Sequence, residues 1–166
     1  MKEIPLTQGY VALVSDEDFE RVNAFKWNAA VSRRNGLLRV YAKRKIRIDR
    51  KWTTLRMHRF ILGCAEDIDH ADHNGLNNQR DNLRPATNSQ NGANRAKSTN
   101  PASSKWKGVC WRKDLQRWNA YIYVDQARRH LGHFKEECDA ALAYNLAASM
   151  FFGEFAQYNV PIEATA

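Results

Sequence analysis

The chain reads as an α+β protein, and three stretches predict it. Between Arg33 and Arg59 basic residues alternate with apolar ones, the pattern of an antiparallel sheet with a basic outer face. Residues 68–91 then give a strand, a polar loop, a second strand and a capped helix, and residues 105–152 give three short strands followed by a helix. The expected architecture is a basic N-terminal sheet leading into a strand-loop-strand-helix core, then a three-stranded antiparallel sheet with one packed helix.

Taken in order, residues 6–14 (LTQGYVALV) predict a strand or hairpin arm. Ser15 is placed to cap a helix, with Asp18 as a weaker partner than glutamate in a capping box. Phe19, Val22, Phe25 and Trp27 give that helix an apolar side. From 33 to 59 there are eleven lysines and arginines against Asp49 alone. Leu38, Val40 and Ala42, then Ile46 and Ile48, alternate with them, which predicts a half-buried sheet. Solvated faces normally mix charge signs and this one does not, so Arg44, Lys45, Arg47 and Arg50 are expected to contact phosphates. Met57 to Leu62 predicts a short helix stopped by Gly63, with Arg59 a further phosphate contact and His58 either structural or close to the reacting phosphate.

Residues 68–91 gather more hydrogen-bonding side chains than a packed core tolerates. Ile68 leads into Asp69 and His70, which as strand neighbours point to opposite faces. Asn74-Gly75 is a turn dipeptide, Leu83 to Ala86 returns as a strand, and Thr87 with Gln90 makes a capping box that sets Asn91 on a first helical turn. The bland alternative is an Asx-rich loop that satisfies its own backbone. Residues 97–104 (KSTNPASS) read as a linker, so the expected domains are 1–96 and 105–160 with a tail at 161–166. In the second domain, strands at 106–112, 117–124 and 128–134 precede a helix over 136–152. Ala140, Ala143, Ala147 and Ala148 let that helix lie close to the sheet, with Leu142, Tyr144, Leu146 and Phe151 supplying bulk. Strand parity puts Trp118, Ala120, Ile122, Val124 and Leu131 inward, and Arg117, Asn119, Tyr121, Tyr123, Arg128 and His130 outward on a basic, aromatic face. Trp106, Trp111 and Trp118 are expected to anchor the sheet.

Composition narrows the function classes. A formal charge of +8 on 166 residues, with an isoelectric point near 9.6, asks for a polyanion. No apolar run reaches the roughly 18 residues that a bilayer demands. Cys64, Cys110 and Cys138 form no paired or CxxC pattern, which argues against zinc or a disulfide framework and suits a reducing compartment. The N-terminus carries no signal-like apolar core, so a cytoplasmic location is expected. The expected partner is double-stranded DNA, with no membrane and no obligate protein partner, the chain being a monomer or weak dimer.

Hydrolysis of a phosphodiester needs an activated water and a charge sink for the departing 3′ oxygen. Histidine suits the base, and a carboxylate with an amide oxygen suits a hard divalent ion. Asp69-His70, the insertion from Asp72 to Asn78, Asn82-Leu83-Arg84 and Thr87 to Asn91 resemble the HNH nucleases of the ββα-metal type, in particular phage and bacterial homing endonucleases. The resemblance implies that His70 is the general base, that Asp69 and Asn91 hold one magnesium-like divalent ion, and that Asn82 pins the loop orienting the histidine. It implies a metal-dependent endonuclease of a bacterial or phage-infected cell, leaving 5′-phosphate and 3′-hydroxyl ends. His73 stands where that family usually has glycine, and Asn74 and Gly75 are expected to absorb the strain.

A second resemblance covers the C-terminal part. WKGVCWRKDLQRWNAYIYV and the following ARRHLGHFKEECDAALAYNLAASMFFGEFAQYN are similar to the AP2/ERF DNA-binding domain. By position, that likeness implies that Lys107, Arg112 and Arg128 contact bases or phosphates. Cys110, Tyr121, Tyr123 and His130 depart from plant members, so no target sequence carries over. The alternative functions are a DNA-binding regulator that does not cut and, more remotely, a basic RNA-binding or ribosome-associated protein.

Overall fold

The computed structural model describes residues 1–34, 37–64, 66–95, 97 and 103–159. It is a mixed α+β structure of small sheets and few helices. Contacts divide it into two units, one ending at Ala86 and the other starting at Thr87. Most of the expected linker and all of the expected tail lie outside the described residues.

In the first unit β1 (Lys2–Pro5) pairs antiparallel with β2 (Val11–Val14), a pairing the sequence reading did not anticipate. α1 (Asp16–Asn23) follows Ser15, whose hydroxyl does not cap it but accepts the Arg80 N–H at 2.9 Å. Asp18 is 1% exposed and accepts from Arg21 and from Arg80 Nε, the latter at 2.8 Å, so the acid at the start of α1 ties the helix to a distant loop. Burial pushes its pKa up, and the hydrogen bonds from Arg80 and Arg21 outweigh this and leave it below the usual aspartate value. β3 (Asn28–Arg34), β4 (Leu37–Ile48) and β5 (Lys51–Arg56) form an antiparallel sheet, and α2 (Met57–Leu62) ends at Gly63 with φ 64°. β6 (Ile68–His70) pairs with β8 (Leu83–Pro85), while β7 (Asn77–Asn78) adds in parallel to β2. Ile4, Val14, Val22, Trp27, Met57 and Ile61 are each at most 3% exposed and make the core with Ala12, Ala42, Ile68 and Leu83. Phe25, expected inside, is 42% exposed.

The basic sheet departs from its expectation at the far end. Toward its turn the β4–β5 hairpin stands open to solvent: Ile48 and Trp52 are 54% and 68% exposed. The alternation that predicts a half-buried sheet here marks a two-stranded ribbon. Asp49 and Arg50 close it with φ of 46° and 63°, the left-handed pair of a two-residue turn.

In the second unit α3 (Asn88–Asn94) opens on the expected capping box, Thr87 Oγ1 accepting from Gln90 N and Gln90 Oε1 from Thr87 N. β9 (Val109–Arg112), β10 (Arg117–Val124) and β11 (Ala127–Phe134) form an antiparallel sheet packed by α4 (Glu137–Phe152). Val109, Ala120, Ala140 and Ala141 are the centre of that core, flanked by Trp106, Trp118, Leu131 and Phe134. A register shift opposite Ala120 and Tyr121 lets His130 and His133 bring their rings within 4.5 Å. Leu142, Leu146 and Phe151 do not supply core bulk; they are 48%, 69% and 43% exposed. The alanine face with Tyr144 lies on the sheet instead. A helix apolar on every side offers no periodicity from which to choose the buried face.

Candidate active site

β6 is three residues long and buried throughout, and its alternation separates Asp69 from His70. Asp69 lies opposite Arg84 in the ladder and is ion-paired with it at 2.8 Å. His70 turns toward α2 and β4, where its ring is 5.0 Å from that of His58 and 5.8 Å from that of Tyr41, centroid to centroid. His58 and Tyr41 are thus the residues that sequence reasoning placed least well. His58 is 4% exposed and faces His70 edge-on rather than sitting apart on its helix. Tyr41 carried no signal beyond its parity in a basic strand.

The loop between β6 and β8 is held by one amide. Asn82 donates from Nδ2 to Asp72 Oδ1 at 2.9 Å and to the Asn77 carbonyl at 2.8 Å, and its Oδ1 accepts the Asp72 N–H at 3.0 Å. Asp72 in turn accepts from Asn74 N and Asn77 Nδ2. Loop and histidine are joined where the Ala71 N–H donates to the Asn82 carbonyl. The strain expected at Asn74-Gly75 falls elsewhere: His73 itself takes φ 63°. Gly75 is required for closeness, since a Cβ there would meet the Tyr41 ring at 2.6 Å and also the Val40 carbonyl.

Electrostatics favour neutral imidazoles. Burial, then the neighbouring His70, Arg56 and Arg59, drive the His58 pKa down to about 3. His70 is lowered as well, by burial, with Arg56 adding; a hydrogen bond involving Asn78 and the charges of Asp72 and Asp69 oppose the shift. An uncharged imidazole is the form that accepts a proton or donates a lone pair to a metal. Among the described residues no group of three or more His, Cys, Asp or Glu side chains gathers to hold a metal ion.

The remaining expected contacts fall in different settings. Asn91 is on the first turn of α3, half-buried, in the second unit. Lys45, Arg47 and Arg50 are exposed on the ribbon. Arg44 is instead packed, its guanidinium 3.6 Å from the Phe25 ring centroid. Arg59 is paired with Asp67 at 2.9 Å. Lys107 is turned inward: its ammonium donates to the carbonyls of Gly92, Ala93 and Arg95 at 3.0, 2.5 and 2.7 Å, capping the C-terminal end of α3. Burial lowers its pKa to about 8, and its donors are spent on carbonyls rather than offered to a phosphate. Arg112 pairs with Asp114, Arg117 and His130 are exposed, and Arg128 lies 4.0 Å over Tyr121 on the outer sheet face.

Comparison with known proteins bears on this geometry. The chain is 36% identical over 114 residues to a protein of Acanthamoeba polyphaga mimivirus named an uncharacterized HNH endonuclease. That likeness supports an HNH nuclease. The match covers 63% of this chain and 57% of that protein, so the chain spans little more than half the relative's length. No family model matches the sequence. Among the described residues no helix is long and apolar enough to cross a membrane.

Proposed function

We propose that the chain is a metal-dependent DNA endonuclease of the HNH class with His70 as its general base. The observation that carries this reading is the His70 imidazole, kept neutral by burial on a three-residue strand and joined through Ala71 to the loop that Asn82 holds. An imidazole nitrogen of His70 takes a proton from water as the water oxygen bonds to phosphorus and the bond from phosphorus to the 3′ oxygen breaks. The departing oxygen takes a proton from solvent, leaving 5′-phosphate and 3′-hydroxyl ends. His58, edge-on, and Tyr41, tilted against it, hold the His70 ring in place. The family resemblance implies that the Asp69 carboxylate, held by Arg84, and the Asn91 amide oxygen would hold a hard divalent ion that keeps most of its water shell. A magnesium ion bound there would stabilise the charge on the phosphate and on the leaving oxygen. Arg47 and Lys45 contact the backbone of duplex DNA, and the second unit, with Arg117, Arg128 and His130 on its outer face, acts as an AP2-like targeting module.

Cleavage of supercoiled plasmid in magnesium tests this. Wild type cuts, and His70→Ala cuts slower by a factor of roughly 10² to 10⁴, the usual worth of a positioned base, while binding the same DNA. Equal cutting by both proteins, or cutting by neither, sinks the reading and leaves a DNA-binding regulator in its place.

A further inference from the structure

One face of the β4–β5 ribbon leads through Tyr41 to the His70 ring. Lys43 pairs with Arg56, Lys45 with Thr54 and Arg47 with Trp52 across the ladder, and cross-strand partners share a side of a sheet. Tyr41 lies on that same side by parity, and its ring meets both His70, at 5.8 Å, and the Arg56 guanidinium, at 5.1 Å. The face therefore runs outward from His70 through Arg56, Lys43, Lys45 and Arg47 to Trp52. It carries no acidic residue; Asp49, the ribbon's one carboxylate, sits in the turn. Arg44, Ile46 and Ile48 belong to the opposite face, which is why Arg44 packs on Phe25 while its neighbours stay exposed.

Trp52 is the feature that backbone neutralisation leaves unexplained. An indole 68% exposed at the end of a ribbon adds nothing to a core and stands among cations. Aromatic rings beside a cationic track are how proteins hold unstacked bases. A two-stranded ribbon also fits the major groove. From Tyr41 to Arg47 the strand advances about 20 Å, or about six phosphates of one strand.

We propose that this face is a duplex-DNA track on which Trp52 stacks against a base at an opened step, about six nucleotides from the phosphate presented to His70. The location of the cut rests on the nuclease reading; the track does not.

The test uses the full chain carrying His70→Ala, so that cutting cannot interfere, and a 30-base-pair duplex of mixed sequence as probe. Tryptophan emission and affinity are measured against the same protein with Trp52→Ala. Stacking predicts that the duplex quenches emission, that Trp52→Ala removes that part of the quench, and that it weakens binding about tenfold or more without changing the salt slope. Lys45→Ala with Arg47→Ala should instead flatten the slope of log affinity against log salt by about two phosphate contacts. An affinity within twofold of the parent together with an unchanged quench overturns the stacking role. Unaltered salt dependence in the double variant overturns the track. A wild type that never cuts yet shows both effects removes the nuclease reading alone. Unchanged thermal midpoints in the variants exclude unfolding as the cause, as expected for side chains this exposed.

Discussion

Asn82 is the residue on which the geometry of the loop between β6 and β8 turns. Its side chain makes two donations and one acceptance inside a loop that is otherwise held by short Asx contacts, and it is 8% exposed, so little water is at hand to replace a lost partner. Removing one member leaves buried groups unsatisfied at about 1–3 kcal/mol each. Asn82→Ala is therefore expected to lower unfolding free energy by about 2–4 kcal/mol and to reduce cleavage even at temperatures where the variant is fully folded. Asn82→Asp keeps the acceptor and loses both donors, setting a carboxylate against Asp72, and should recover none of that activity. A variant that melts with the parent and cuts at its rate would show the loop to be held by other means. At this scale the sequence exposed what is polar and clustered: Asp69, His70 and Asn82 stand out because such side chains are rare in a core. It concealed Tyr41 and Arg56, since an aromatic or a cation in an alternating strand gains its role only from what folds against it.

Elements were legible where a period or a cap announces them. The Thr87–Gln90 capping box, the Gly63 stop and the strands around 117–124 and 127–134 follow from local rules and are formed. β1 and β7 were not, because four-residue and two-residue strands exist only through their pairing with β2. The buried face of α4 was illegible for the opposite reason, an excess of apolar residues. Gly75 belongs with the hidden relationships. Its missing Cβ lets the loop lie against Val40 and Tyr41 on β4, so the turn and the strand that borders His70 are fitted to one another. Gly75→Ala drives a methyl carbon into a backbone carbonyl and a ring held near two histidines, and overpacking of this kind costs about 1–3 kcal/mol or more. The expected result is a urea midpoint lowered accordingly and a cleavage defect larger than that of Gly92→Ala, whose added Cβ meets nothing within 4 Å. Equal behaviour of the two variants would detach the loop from β4.

For the molecule as a whole, the burial that readies the imidazoles also sets its response to acid. His58 titrates at about 3 in the fold and at about 6.5 when unfolded, so below pH 6.5 the unfolded chain binds a proton that the folded chain refuses. Stability is thus complete above that value and falls as pH drops through the window toward 3. His70 is shifted in the same direction and adds to the slope until its own folded pKa is passed. One proton gives about 1.4 kcal/mol per pH unit. The lowered carboxylates, Asp18 and Asp72 among them, act only below about pH 4, where their unfolded forms begin to protonate. Between pH 6 and 5 buried His58 therefore dominates, with His70 acting in the same direction. Urea unfolding across that interval should show free energy falling by about 1 kcal/mol or more for the parent and by clearly less for His58→Gln. Parallel slopes would mean that His58 is not buried as a neutral group. Because burial lowers the His70 pKa, the loss of cutting by folded protein should set in at a lower pH than it would for a free imidazole, which single-turnover assays at low temperature can separate from unfolding.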